Sequence, residues 1–166
     1  MEINWFIVLL AGLIPLVTGA IWYNPKVFGT AWLRESGLTE EQARQGNMPF
    51  IFGLTALFGV FIAVVMMVTV IHQSHIYSIM QGNPDMQDPN SALSLYVSDF
   101  MAKYGNNFRT FKHGMLHGAL SGFLFAQPVI GILALFERKS LRYIFLHGGY
   151  WILTLALMGG VISAFA

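Results

Sequence analysis

The sequence predicts an all-α, polytopic membrane protein with four transmembrane helices and short interfacial helices in the first and second connections. Three observations carry this reading. Of 166 residues, 55% are hydrophobic and only 10% charged, where about a quarter are charged in an ordinary soluble domain. Four stretches, about 4–23, 50–71, 111–136 and 143–166, carry no charged side chain apart from Lys112 at the entrance of the third. Each reaches the roughly 20 residues that a helix rising about 1.5 Å per residue needs to cross hydrocarbon. Finally, residues 51–71 are apolar almost without a break, whereas a transmembrane β-strand alternates in polarity. The composition also excludes function classes. A formal charge of +1 supplies no nucleic-acid surface, and the absence of cysteine removes disulfides, thiolate metal sites and thiol nucleophiles. The chain reads as a single membrane domain, 1–166, whose partner is the lipid bilayer and not nucleic acid.

Taken in order, the first span has Glu2 as the only charged side chain before it. It therefore lacks the basic n-region of a cleaved signal and is read as retained. It leaves the bilayer through Trp22-Tyr23-Asn24-Pro25-Lys26, an aromatic pair followed by a helix stop and a cation. Trp22 and Tyr23, with Trp32 beyond them, are the expected interfacial anchors. In the first connection, Val27, Phe28, Ala31 and Trp32 form an apolar stripe that ends before Gly37 and suits a short interfacial helix. Thr39-Glu40-Glu41-Gln42 fits a capping box, Gly46 ends that turn, and Pro49 opens the second span. The second connection, about 76–110, begins with the turn-rich Gly82-Asn83-Pro84-Asp85 and Asp88-Pro89-Asn90. Leu93, Val97, Phe100, Met101 and Tyr104 then repeat at helical spacing, which predicts an amphipathic helix ending at Gly105. Thr18 to Val27 and Ser121 to Ile130 share a hydroxyl, Gly, aromatic, amide, Pro and β-branched order, as a duplicated hairpin would produce.

The strongest pattern is mechanical. Gly114, Gly118 and Gly122 recur every fourth residue on the third span, and small residues at this spacing let two helix backbones approach closely. Gly149, Ala156 and Gly160 on the fourth span are the proposed mates. Chemistry is sparser. The spans hold no carboxylate, which speaks against proton- or sodium-coupled transport and carboxylate catalysis. Ser121 and Ser163 have no base and orienter at a readable spacing, which speaks against a nucleophilic hydrolase. Histidine remains. His72 and His75 lie three apart at the end of the second span, and His113 and His117 lie four apart at the start of the third. Imidazoles at these spacings share a helix face and can grip one metal, with Met80, Met86, Met101 and Met115 available as soft donors. The alternative is hydrogen bonding to backbone, headgroups or water. His147 reads as a packed polar residue near Tyr150 and Trp151.

Asn4-Trp5, then Gly19-Ala20-Ile21-Trp22-Tyr23-Asn24-Pro25 and Phe28-Gly29-Thr30-Ala31-Trp32, resemble the signature of the bacterial integral-membrane family catalogued as domain of unknown function 1761. The likeness covers most of the chain and is most specific in the first span and its connection. It implies a small multi-span protein of a bacterial inner membrane and brings no activity, cofactor or catalytic residues with it. The connection 76–110 is longer than that resemblance leads one to expect. Lys and Arg number six in the first and third connections and three in the second, so the positive-inside rule places both termini outside. The functional expectation is a non-enzymatic, self-associating structural or accessory bundle without a cofactor. Its alternatives are a passive pore or small-solute carrier at an oligomer interface, and an outward-facing His/Met metal-binding protein.

Overall fold

The computed structural model describes residues 3–166, so Glu2 lies outside the described residues. The described residues contain no strand, and the helices form four antiparallel rods long and apolar enough to cross a membrane. The first rod is broken. α1 (Trp5–Ala11) is capped by the Asn4 side chain, and the chain is interrupted at Gly12–Leu13 before α2 (Ile14–Trp22), where Pro15 sits at the second helical position. Without an amide hydrogen, Pro15 cannot continue the backbone ladder of α1. Asn24 then accepts from the Lys26 amide at 2.9 Å and starts a wide π turn, Pro25–Gly29, that leads into α3 (Thr30–Ser36). Gly37 ends α3 at φ 77°, a left-handed conformation that glycine adopts without a Cβ clash. α4 (Glu40–Arg44) carries the reciprocal Thr39–Gln42 capping box.

The second rod, α5 (Met48–Val70), begins earlier than hydropathy alone suggests because the Asn47 side chain caps it. Ile71 departs from helical geometry at φ −101° and ψ 86°, and the chain turns into α6 (Gln73–Ile79), a helix that the sequence patterning did not separate from the loop. α7 (Ala92–Tyr104) follows a short turn at Pro84–Met86. Val97 is buried and Leu93, Phe100 and Met101 are half-buried, whereas Leu95 and Tyr96 face outward. The third rod runs through α8 (Phe111–Ser121), a π turn at Gly122–Ala126 and α9 (Gln127–Phe136). The fourth, α10 (Leu141–Phe165), is uninterrupted and starts earlier than hydropathy suggests because Ser140 caps it.

α10 is the axis of the bundle. In its most apolar stretch 56% of the residues are buried, against 11% in the α8–α9 rod, which turns side chains such as Leu124, Phe125 and Phe136 outward. Such a surface is stable in hydrocarbon and not in water. The core, Val8, Ala63, Met66, Val70, Ile71, Met158 and Ile162, lies where α1, α5 and α10 meet. Two seams bring backbones together. A Cβ on Gly118 would overlap the Leu155 carbonyl and one on Gly114 the Gly159 carbonyl, while Gly122 lies against Ile152, so α8 and α10 touch along an antiparallel register. A second seam, unseen in the sequence, pairs Gly12 with Gly59 at the break between α1 and α2.

The two sequence echoes begin alike and end differently. Thr18 and Ser121 each donate to the carbonyl four residues back, both at 2.9 Å, and each following glycine lies against α10. After the first copy the chain leaves the bundle at Pro25, whereas after the second Pro128 opens α9 and the rod continues. At that end, Glu35 of α3 fastens the first connection to the third. Ser140 donates to its carboxylate at 2.5 Å, and Arg34 and Arg142 lie 3.4 and 3.7 Å away. The Ser140 hydroxyl, followed by the two guanidinium groups, holds the Glu35 carboxyl below its ordinary value of 4.5.

Gly118→Leu is expected to force α8 off α10 and to cost about 1–3 kcal/mol, the usual range for overpacking. Thermal unfolding in detergent checks it, and an unaltered midpoint would refute the close-packed seam. Because the native Glu35 pKa is lowered, its stabilising contribution is full above about pH 4.5 and is lost as pH falls toward the native value. In Glu35→Gln that part of the acid dependence, followed by proteolysis of the first connection, should be absent.

Candidate metal centre

The break at Ile71 decides where His72 goes. Since α5 stops there, His72 leaves the rod as the N-cap of α6 and turns its ring toward α8. On α8, Thr110 caps the helix by accepting from the His113 amide at 3.3 Å. Each helical residue turns by about 100°, so once Gly114 and Gly118 face α10, His113 and His117 lie roughly a quarter turn away. The packing glycines therefore aim the histidines toward the end of α5.

Three rings meet there. His72 and His113 approach at 2.9 Å between their Nε2 atoms, and the ring centroids are 4.5 Å apart for His113–His117, 4.8 Å for His72–His117 and 5.2 Å for His72–His113. One ligand nitrogen from each ring lies within 4.8 Å of the others. Tetrahedral zinc with bonds of about 2.0–2.1 Å separates its nitrogens by about 3.3 Å, so the three rings would have to draw closer to close on an ion. In the Nε2–Nε2 contact one ring donates and the other accepts, and a metal at this place would replace that shared proton. Partial desolvation, followed by the neighbouring His117, His113 and His75, holds the His72 pKa below its usual value and favours the neutral form that ligates. His75 stays outside the trio. Its Nδ1 lies 3.3 Å from the His72 carbonyl. Among the described residues, no carboxylate joins the cluster.

Phe108 stands over the trio, its ring 4.9 Å from His113. It has φ 63°, a left-handed conformation that costs a bulky residue about 1–3 kcal/mol. The surroundings hold it: the buried Ser163 hydroxyl donates to its carbonyl at 3.3 Å, the Thr110 amide donates to the same oxygen at 2.8 Å, and Arg109 Nε donates to the Ser163 carbonyl at 3.1 Å. Neither Phe108 nor the Ile71 break was signalled by hydropathy or by a Gly or Pro.

The opposite end of the bundle holds the aromatic residues of the first-span signature, docked on α10. Trp22 Nε1 donates to the Leu146 carbonyl at 3.2 Å and its ring stacks on Phe28. The Tyr23 hydroxyl meets His147 Nδ1 at 2.8 Å, with Tyr143, Tyr150 and Trp32 around the pair. Gly149 lies against the Trp22 ring, Ala156 against Gly118, and Gly160 against Phe111. Deeper in, Thr18 and Thr154 share a 2.8 Å hydrogen bond and the Tyr150 hydroxyl donates to the Pro15 carbonyl at 2.8 Å. The expected anchors Trp22, Tyr23 and Trp32 are thus half-buried and engaged with protein. These groups bond to one another apart from His147 Nε2, and among the described residues no metal-binding set forms at this end.

The profile of the family described as protein of unknown function, DUF1761, matches residues 6–163. The chain belongs to the DUF1761 family. No curated protein and no solved structure matches it. In this DUF1761 member the signature from Gly19 to Trp32 therefore has a structural reading, the docking of the first rod on α10.

Tyr23→Phe leaves the half-buried His147 ring without its hydroxyl partner, and the buried His147 Nε2 already has no hydrogen-bond partner. A loss of about 1–3 kcal/mol is expected, the cost of an unsatisfied buried polar group. Denaturation in detergent measures it; a variant as stable as the parent would show that the pair contributes nothing.

Proposed function

We propose that this DUF1761 protein is a non-enzymatic membrane protein that binds a transition-metal ion, with His72, His113 and His117 as its ligands. The observation that carries the reading is the convergence itself. Two histidines four apart on α8 share a face by helix geometry alone, but the third arrives from 41 residues away and makes a 2.9 Å contact with one of them. Three neutral imidazoles suit zinc or copper. The Lys and Arg distribution, six against three, supports a cytoplasmic position for the first and third connections. On that orientation both termini and the histidines lie outside, in a bacterial inner membrane.

Self-association draws on the outward apolar faces of α5 and α8–α9. A groove of 620 Å3 lies between these rods over Trp151 and Leu155. Its only hydroxyls, those of Thr69 and Ser121, donate to carbonyls of their own helices. A groove so lined supplies no wet path, and the pore reading takes no support from it.

Titration with zinc against a chromophoric chelator, in detergent, tests the metal reading. His117→Ala should weaken binding by at least about tenfold, or ~1.4 kcal/mol, while His75→Ala should leave it unchanged. Equal affinity of His117→Ala and the parent would overturn the proposal.

A further inference from the structure

We infer that the metal held by His72, His113 and His117 keeps one coordination position open, and that this position takes a small anion through the cavity beside His72. The inference rests on the metal reading above and adds the ligand to it.

Its first support is the donor count. The chain supplies three nitrogens, and among the described residues no Cys, Asp, Glu or further His completes the set. Zinc and its neighbours take at least four ligands, and a site with three protein ligands admits a solvent or substrate donor at the fourth. Its second support is access. A cavity of 350 Å3 is lined by His72 together with Gln73, Ile76, Phe100, Tyr104 and Phe108, and Asn107 lies beside them. At about 30 Å3 per water, this holds a small anion and several waters. The cavity therefore touches a ligand, His72, and the residue that covers a second one, since the Phe108 ring packs on His113. The wall is fixed in place: Gln73 is buried and donates to the Asn107 carbonyl at 2.8 Å, which ties α6 to the segment entering α8.

Charge selects the occupant. Three neutral imidazoles leave a divalent ion with its full charge, and no carboxylate belongs to the cluster to offset it. An anion is the donor that such a site favours over a neutral one. Phe108, held at φ 63° between the cavity and His113, is a positioning residue for this opening.

The test uses the purified full chain in detergent, loaded with cobalt(II), whose visible spectrum reports its ligands, and titrated with sodium azide. The expected result is a saturable change in the cobalt bands. Ile76→Phe, which narrows the cavity without touching a ligand, should weaken azide by about tenfold while cobalt affinity stays within about twofold. Cobalt that binds tightly but whose spectrum ignores azide would overturn the open position and leave the metal reading standing. An azide response that Ile76→Phe leaves unaltered would overturn the route through the cavity. A chain that takes up no cobalt removes the metal reading and this inference together.

Discussion

Close contact between the backbones of α8 and α10 is the constraint on which the remaining architecture depends. Apolar burial drives helices together in water, but lipid tails are as apolar as leucine, so association in a bilayer relies on packing and interhelical hydrogen bonds. Gly114 and Gly118 let carbonyls of α10 into space that a Cβ would fill. That contact fixes the rotation of α8 about its own axis, and the rotation fixes which side chains face α5. The histidine cluster is therefore a consequence of helix packing before it is a feature of chemistry.

The second demand of a hydrocarbon medium is that each polar group find a partner within the protein. The chain meets it in two ways. Hydroxyls such as Thr55, Thr69 and Ser121 donate to carbonyls of their own helices and cost the exterior little. Where the first rod is broken, the solution is interhelical: Thr154 and Tyr150 of α10 supply hydroxyls to Thr18 and to the Pro15 carbonyl. The break in the first rod and the polar layer of α10 therefore form one feature.

Hydropathy made the four rods legible, because the length and apolarity of a spanning helix are set by the medium. The capping box at Thr39, the stop at Gly37 and the glycine ridge of α8 were legible for the same kind of local reason: each is a fixed spacing of residues with one physical use. Long-range meetings were not. Gly12 and Gly59 are single glycines without a repeat, and their pairing depends on how α1 leans on α5. Tyr23 reads as a headgroup anchor from its place at the end of a span, yet its hydroxyl partner is 124 residues away. The four histidines were legible as two pairs, one at the end of the second span and one at the start of the third. Which three would meet was set by the non-helical Ile71, a residue whose β-branched side chain does not announce a break.

A cluster of imidazoles with no carboxylate beside it has to be read against its setting. Two neutral rings can share one proton, as His72 and His113 do, but that proton does not also satisfy the His117 nitrogen close by. Charging His72 is opposed, by partial desolvation and by the neighbouring rings. Water can bridge such a set. An ion bound as proposed would accept a lone pair from each ring at once and remove the need for the shared proton. The strained Phe108 belongs to the same balance: about 1–3 kcal/mol of backbone strain persists only where surrounding contacts hold it, and the buried Ser163 supplies one from the far end of α10. The last turn of the central helix thus holds the cover of the histidine face, which ties the integrity of that face to the packing of the bundle.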